Sequence, residues 1–253
     1  MSAATLLLLA DSRLPAGGHA HSGGAEQAVR TGAVHDLTSL RAFLSGRLHT
    51  AGLVAAGLAA AACRTAQLPA ASPEEPQPAS SGVGSRPTTT SAGETEPSGA
   101  PSAPMTWPDL DAEADALSAS PAQREANRQQ GRLLLRVARR VWPSPVLEEL
   151  ARAVPNPHHP VALGAVAHAA GATPAEAALA AAYHAVAGPA TAAVRLLGLD
   201  PVEVHRLLAD LAPDLEAVAG RAAAADRPPA TSAPALDLLA ERHTRADLRL
   251  FVS

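Results

Sequence analysis

Three segments of this chain share one local grammar: Ser120-Pro121-Ala122-Gln123, Thr173-Pro174-Ala175-Glu176 and Asp200-Pro201-Val202-Glu203. Each begins with a side-chain oxygen able to accept from the first free amides of a helix. Proline follows at the first helical position, where its missing N–H costs nothing, and Gln or Glu stands three residues after the cap. Such starts commit the segments behind them to helix. Asp36 offers a fourth cap, and after it Leu37, Leu40, Leu44, Leu48, Ala51, Ala55, Leu58 and Ala62 keep a 3.6-residue period. Residues 160–170 are apolar on nearly every side and include Gly164, which suits a buried, closely packed helix. There is no run of alternating β-formers and no Asn-Gly turn. Apolar residues make up 47% of the chain and aromatics only 2%, so the core is built from Ala, Leu and Val, and alanine is the strongest helix former. The expected fold is an all-α, single-domain bundle of roughly eight to ten helices.

Residues 69–108 break this pattern with Pro, Ser, Thr and Gly and almost nothing that enters a core. Such a stretch cannot offset an ordering cost of about 1–2 kcal/mol per residue, so it is expected to be a disordered insertion. Loop-closure entropy grows only logarithmically with length, and residues 1–68 and 109–226 are therefore expected to close into one helical domain around it. Residues 227–253 are expected to form a C-terminal tail with a short helix, ordered when a partner is present.

Composition excludes several chemistries. All 20 basic residues are Arg, so neither a phosphate-loop lysine nor a Schiff-base amine is available. The single cysteine, Cys63, excludes an internal disulfide and Cys-based metal clusters. A formal net charge of −4 gives no bulk attraction to nucleic acid. The early apolar run Leu6–Ala10 is too short to span a bilayer and lacks a basic leader. The chain is expected to be cytoplasmic, with no nucleic-acid or membrane partner. No G-x-S-x-G elbow or comparable catalytic setting occurs.

The segment from Asp11 to Glu26 is the most distinctive, with Gly17-Gly18-His19-Ala20-His21-Ser22-Gly23-Gly24 at its centre. It lacks the G-x-G-x-x-G spacing, a preceding strand and a following lysine, so it is not a phosphate cradle. His19 and His21, with His158 and His159, could offer imidazoles to Ni²⁺. No i, i+4 His pair fixes such a set, and no metal ligand or cofactor site is assigned. Glu26 is either an acid favoured by its helix dipole or a contact residue. Arg124, Arg128, Arg132, Arg136 and Arg140 recur every four residues, a ridge that drifts about 40° per step. This ridge is either a solvated face or a docking surface for acidic groups on a partner.

Pro15-Ala-Gly-Gly-His-Ala-His-Ser-Gly-Gly-Ala-Glu26 resembles the N-terminal signature of the urease accessory protein UreF family. Three further segments agree in order: Arg124-x-Ala126-Asn127 with Gly131, the helix from His158 to Gly171, and the terminus Arg249-Leu-Phe-Val-Ser253. The resemblance spans nearly the whole chain except 69–108. Two departures stand out. His19 occupies a position that is aromatic in many relatives, and Leu197-Gly-Leu-Asp-Pro201 replaces a P-L-[GS]-Q turn.

The resemblance implies a non-enzymatic helical homodimer that binds a UreD/UreH-type accessory protein. Together they recruit the GTPase UreG, which delivers nickel to apo-urease. Loop, ridge and tail together give the candidate partner-binding residues His19, His21, Ser22, Glu26, Arg124, Arg128, Arg132, Arg249, Leu250 and Phe251. Arg249 matches a tail arginine of the family and is expected near His19, with Leu250 and Phe251 buried beside the loop. The rival readings are a direct nickel-binding chaperone and a hydrolase using the loop histidines.

Overall fold

The computed structural model of the chain describes residues 3–11, 14, 18–68 and 105–253. Among them the helices are α1 (Ala3–Ala10), α2 (Ala25–Arg30), α3 (Leu37–Arg47), α4 (Leu53–Ala66), α5 (Trp107–Ala116), α6 (Pro121–Val141), α7 (Pro145–Ala153), α8 (His159–Ala169), α9 (Pro174–Leu197), α10 (Pro201–Asp210), α11 (Ala212–Ala224) and α12 (Pro234–Thr244), with no strand. The all-α expectation holds. The chain is cut into more pieces than eight to ten, because short helices at α1, α2 and α5 lie below the length at which periodicity is legible.

The Asp36 cap behaves as its sequence requires: Asp36 Oδ1 accepts from the Ser39 amide at 2.7 Å, and Ser39 Oγ receives the Asp36 N–H in return. The predicted 3.6-residue pattern runs on through α3 and α4, interrupted only by a π turn at Leu48–Gly52. Thr173 and Glu176 close a full capping box at the start of α9. The other two starts differ in detail. Asp200 caps through the Val202 amide rather than that of Glu203. Ser120 accepts from Gln123 N at 3.2 Å, but the Gln123 side chain turns away to Asp237 of α12, which also takes the Ser120 amide. A residue more than 100 positions away thus completes the cap.

Helices α4, α8 and α9 form the centre, with α6, α11, α2 and α10 packed around them. Alanine makes this possible, since short side chains let axes approach closely. A Cβ on Gly164 of α8 would lie 2.2 Å from the Ala59 carbonyl oxygen of α4, so this contact is backbone against backbone. Gly131 of α6 meets the turn before α8 in the same way, its added Cβ falling 2.0 Å from Pro157 O. Helix α9 is long and apolar enough, by length and composition, to cross a membrane, yet its most apolar window is 56% buried inside the bundle. Its composition is accounted for by its place at the centre.

One core joins helices from both sides of the expected insertion, including Leu58 and Cys63 before it and Trp107 and Leu110 after it. Most of 69–108 lies outside the described residues. Its C-terminal limit falls earlier than 108, because Thr106 and Asp109 form a capping box with Pro108 inside the first turn of α5. Thr65 reaches across to Met105 O at 3.0 Å, which ties the two sides together.

Candidate functional site

The Gly-rich loop and the C-terminal tail meet. Gly23 and Gly24 adopt left-handed φ of 57° and 89°, a conformation open to glycine at no steric cost. These two residues turn the chain into α2. The turn leaves Ser22 buried and aims the Glu26 side chain inward, where it is 1% exposed. The tail then satisfies what the turn has buried. Glu26 accepts from Leu250 N at 2.9 Å and from Phe251 N at 3.0 Å. Ser22 donates its hydroxyl to Ser253 O at 2.8 Å, and the Ser22 amide donates to the same oxygen. His21 Nδ1 pairs with Ser253 Oγ at 2.7 Å, and Val252 N donates to Ala20 O at 2.7 Å. His243, buried at the end of α12, approaches Phe251 O at 3.2 Å from its other face.

Phe251 anchors this latch. It is 6% exposed, packed with Ala25 and Ala192 and flanked by Phe43 and Leu196. The Arg195 guanidinium carbon sits 5.1 Å from its ring centroid, a favourable cation–π geometry. Leu250, expected to bury with it, is instead 73% exposed. The two neighbours face opposite ways while both amides turn to Glu26, so only one side chain can enter the core. Arg249 is exposed, as are Leu248 and Val252. The loop and tail therefore form one composite surface whose hydrogen bonds point inward and whose Arg and apolar side chains point outward. The His19 side chain lies outside the described residues, and with it the expected pairing to Arg249.

The arginine ridge divides into two parts. Arg128 donates to Asp111 Oδ2 at 2.8 Å, to Asp115 Oδ2 and to Asn156 O at 2.8 Å, and is only partly exposed. Arg124 donates to Ser118 O at 2.6 Å and sits 3.7 Å from Asp115. Both are engaged within the chain, because α5, invisible as a helix in the sequence, places two aspartates against α6. Arg132, Arg136 and Arg140 remain exposed. His158, only 1% exposed, belongs to the same network: its amide and Nδ1 approach Asp111 Oδ1 at 2.8 and 2.9 Å. His158 Nε2 lies 3.2 Å from Asp115 Oδ1 but at an angle that makes no hydrogen bond. Burial alone would raise the Asp111 carboxyl; the hydrogen bonds from His158 and Arg128 outweigh it and hold the pKa below the ordinary value.

His159 is separated from His158 in role. It faces His184 of α9 with ring centroids 5.8 Å apart. Desolvation, helped by the neighbouring imidazoles, pulls His159 down to about 3. Burial likewise lowers His184, against the opposing effect of its contact with Leu9 O at 3.0 Å. Of the four histidines weighed as a nickel set, His158 is engaged by Asp111 and His159 faces His184, and the His19 side chain lies outside the described residues. Among the described residues no group of three or more His, Cys, Asp or Glu side chains is placed to hold a metal ion.

A family model for UreF matches residues 34–212. The chain belongs to the UreF family. Over 249 residues it is 45% identical to the urease accessory protein UreF of Mycobacterium sp. (strain JLS), covering 98% of each chain. Over 254 residues it is 44% identical to the protein of that name from Mycolicibacterium vanbaalenii and 41% identical to that from Mycobacterium tuberculosis (strain ATCC 25618 / H37Rv), covering 100% of this chain and 99% of each relative. Membership of the UreF family makes the chain a non-catalytic accessory protein, in line with the family resemblance read from its motifs. The matched span of the UreF model leaves out both the Gly-rich loop and the tail, the two segments that the fold brings together.

Sequence reasoning missed four residues of this region. Ser253 was legible only as the last residue of the terminal motif, because its partner lies more than 200 positions away, and His243 gave no signal because it acts through a backbone carbonyl. Asp111 and Asp115 were legible only as acids spaced i, i+4, one helix face, in a segment with no assigned helix start.

Proposed function

We propose that this chain is a urease maturation factor, a scaffold that with a UreD/UreH-type protein recruits the GTPase UreG for nickel insertion into apo-urease. The observation that carries the reading is the latched tail. Glu26, Ser22 and His21 consume the polar groups of residues 250–253, which leaves Arg249, Leu250 and Val252 displayed beside the Gly-rich loop. A cation flanked by exposed aliphatic side chains on a rigid support is the composition of a protein-docking surface, where arginine is enriched. The exposed part of the α6 ridge, from Arg132, supplies a second basic surface suited to acidic groups. GTP hydrolysis belongs to UreG in this scheme, and nickel is cargo of the assembly. The scaffold acts in the cytoplasm as a homodimer.

Co-purification of the chain with its UreD/UreH-type and UreG-type partners tests the proposal. The expected result is a complex containing all three, with UreG captured only when the other two are present together. Capture of UreG by the UreD/UreH-type protein alone would remove the scaffold role.

A further inference from the structure

A cavity of about 850 Å³ lies under the Gly-rich loop, between α3, α4, α6 and α9. Arg47, the last residue of α3, projects into it. The fold fixes this side chain by an unusual route. Pro189 inside α9 has no N–H, so the carbonyl four residues earlier, Ala185 O, loses its helical donor. Arg47 Nε takes that place at 2.8 Å. The guanidinium is thereby held at one edge, and one of its terminal nitrogens lies near Gly23, where any Cβ would come within 3.1 Å of it.

What the guanidinium lacks is a counter-ion. Among the described residues no carboxylate lies within ion-pair distance of Arg47, while Arg30, Arg41, Arg124, Arg128 and Arg139 all have one. Among the described carboxylates that line the cavity, Asp237 is spent on the Ser120 amide and the Gln123 side chain. Desolvation pulls the guanidinium pKa to about 10, while the residue stays partly exposed. An uncompensated buried charge is costly, and proteins pair it or neutralise it. Even at about 10 it remains protonated at neutral pH. The lining also includes Tyr183 and the imidazoles of His159 and His184, which burial holds neutral, polar groups that add no competing positive charge. Arg195 lines the same space.

We propose that this cavity is an oxyanion site in which the free edge of the Arg47 guanidinium holds a small carboxylate, carbonate or phosphate group. A guanidinium edge presents two parallel N–H donors at the spacing of two oxygens on one centre, so an oxyanion is bound and a spherical halide is not favoured to the same degree. Tyr183 and His159 line the same cavity and are neutral donors open to such a ligand. The ligand also supplies the missing negative charge, so its binding stabilises the fold.

The test is titration of the full chain with sodium bicarbonate, acetate and phosphate in turn, against sodium chloride at equal ionic strength, followed by calorimetry and by the thermal midpoint. The expected result is saturable binding of at least one oxyanion and not of chloride. The midpoint should rise by about 3–6 °C at tenfold excess over Kd. Comparison of the three salts separates a planar from a tetrahedral ligand. Arg47→Met should weaken binding at least about tenfold, and Arg47→Lys, which keeps the charge and loses the fork, should weaken it as well. Equal affinity in Arg47→Met, or no saturable binding of any of the three by the native chain, overturns the proposal. If Arg47→Met does not fold, the arginine Nε–H resonances of the native chain decide: one that shifts with oxyanion and not with chloride supports the site, and none shifting overturns it.

Discussion

Replacing Glu26 with alanine should free the C-terminal tail while the helical body stays folded. The carboxylate accepts from the amides of Leu250 and Phe251 at 2.9 and 3.0 Å and is 1% exposed. Hydrogen bonds to a charged group contribute about 1.5–3 kcal/mol each. Two that share one carboxylate do not add in full, so the variant should shift the tail's opening equilibrium by about 3 kcal/mol. That is roughly 150-fold. Arg30 lies 3.6 Å from the same carboxylate but is 38% exposed, and its loss adds little. Native-state hydrogen exchange reads the effect directly, since local opening is measured amide by amide. Leu250 and Phe251 amides should lose about two orders of magnitude of protection, and core amides of α4 and α8 should keep theirs. The thermal midpoint should move by less than about 4 °C, because the main core does not include the tail. Protection of both tail amides within threefold of the native value would refute the assignment of Glu26 as the clasp.

Acid should weaken the fold earlier than carboxylate protonation alone would. His159 and His184 are held neutral, with pKa values below their unfolded values, so the unfolded chain binds more protons as pH falls below about 6.5. Stability should fall from there toward pH 3 at up to about 1.4 kcal/mol per unit for His159, with a contribution of the same sign from His184, and denaturant melts of His159→Gln should show a shallower slope; an identical slope would exclude His159. Gly164→Ala places a methyl 2.2 Å from Ala59 O, and overpacking of about 1–3 kcal/mol should lower the thermal midpoint by about 2–12 °C; an unchanged midpoint would mean that α4 and α8 separate freely. Arg128→Glu sets a third acid beside Asp111 and Asp115 and should destabilise the chain itself, whereas Arg132→Glu with Arg136→Glu should leave the melt unchanged and weaken only a partner complex. Equal melts for the two variants would erase the division of the ridge.

Helix starts with Pro at the first position were legible because a proline and a capping oxygen act within four residues of each other. The α5 start was not separated from the insertion, although Thr106-Trp-Pro-Asp109 has the same capping elements, because Pro101, Ser102 and Pro104 continue the composition of the insertion almost up to it. The loop and the tail were each recognisable as motifs, and their contact followed from the family resemblance. The detail did not. Leu250 and Phe251 look equally apolar in sequence, and only the geometry of two amides facing Glu26 selects Phe251 for burial. The ridge spacing was real, but periodicity cannot show which arginines meet acids from another helix. Arg47 was silent in the sequence, since its position depends on a carbonyl released by Pro189, more than 130 residues away.

The latched tail is the proposed recruiting surface for the GTPase. The direct measurement is UreG-type capture by the complex of this chain with its UreD/UreH-type partner, compared between the full chain, a chain lacking residues 244–253 and Arg249→Ala. Both variants should keep the helical circular dichroism and the UreD/UreH-type partner. The truncated chain should lose the GTPase, and Arg249→Ala should retain less than about a tenth of the affinity, as expected for an arginine hot spot. GTPase capture at native affinity by both variants would contradict the account.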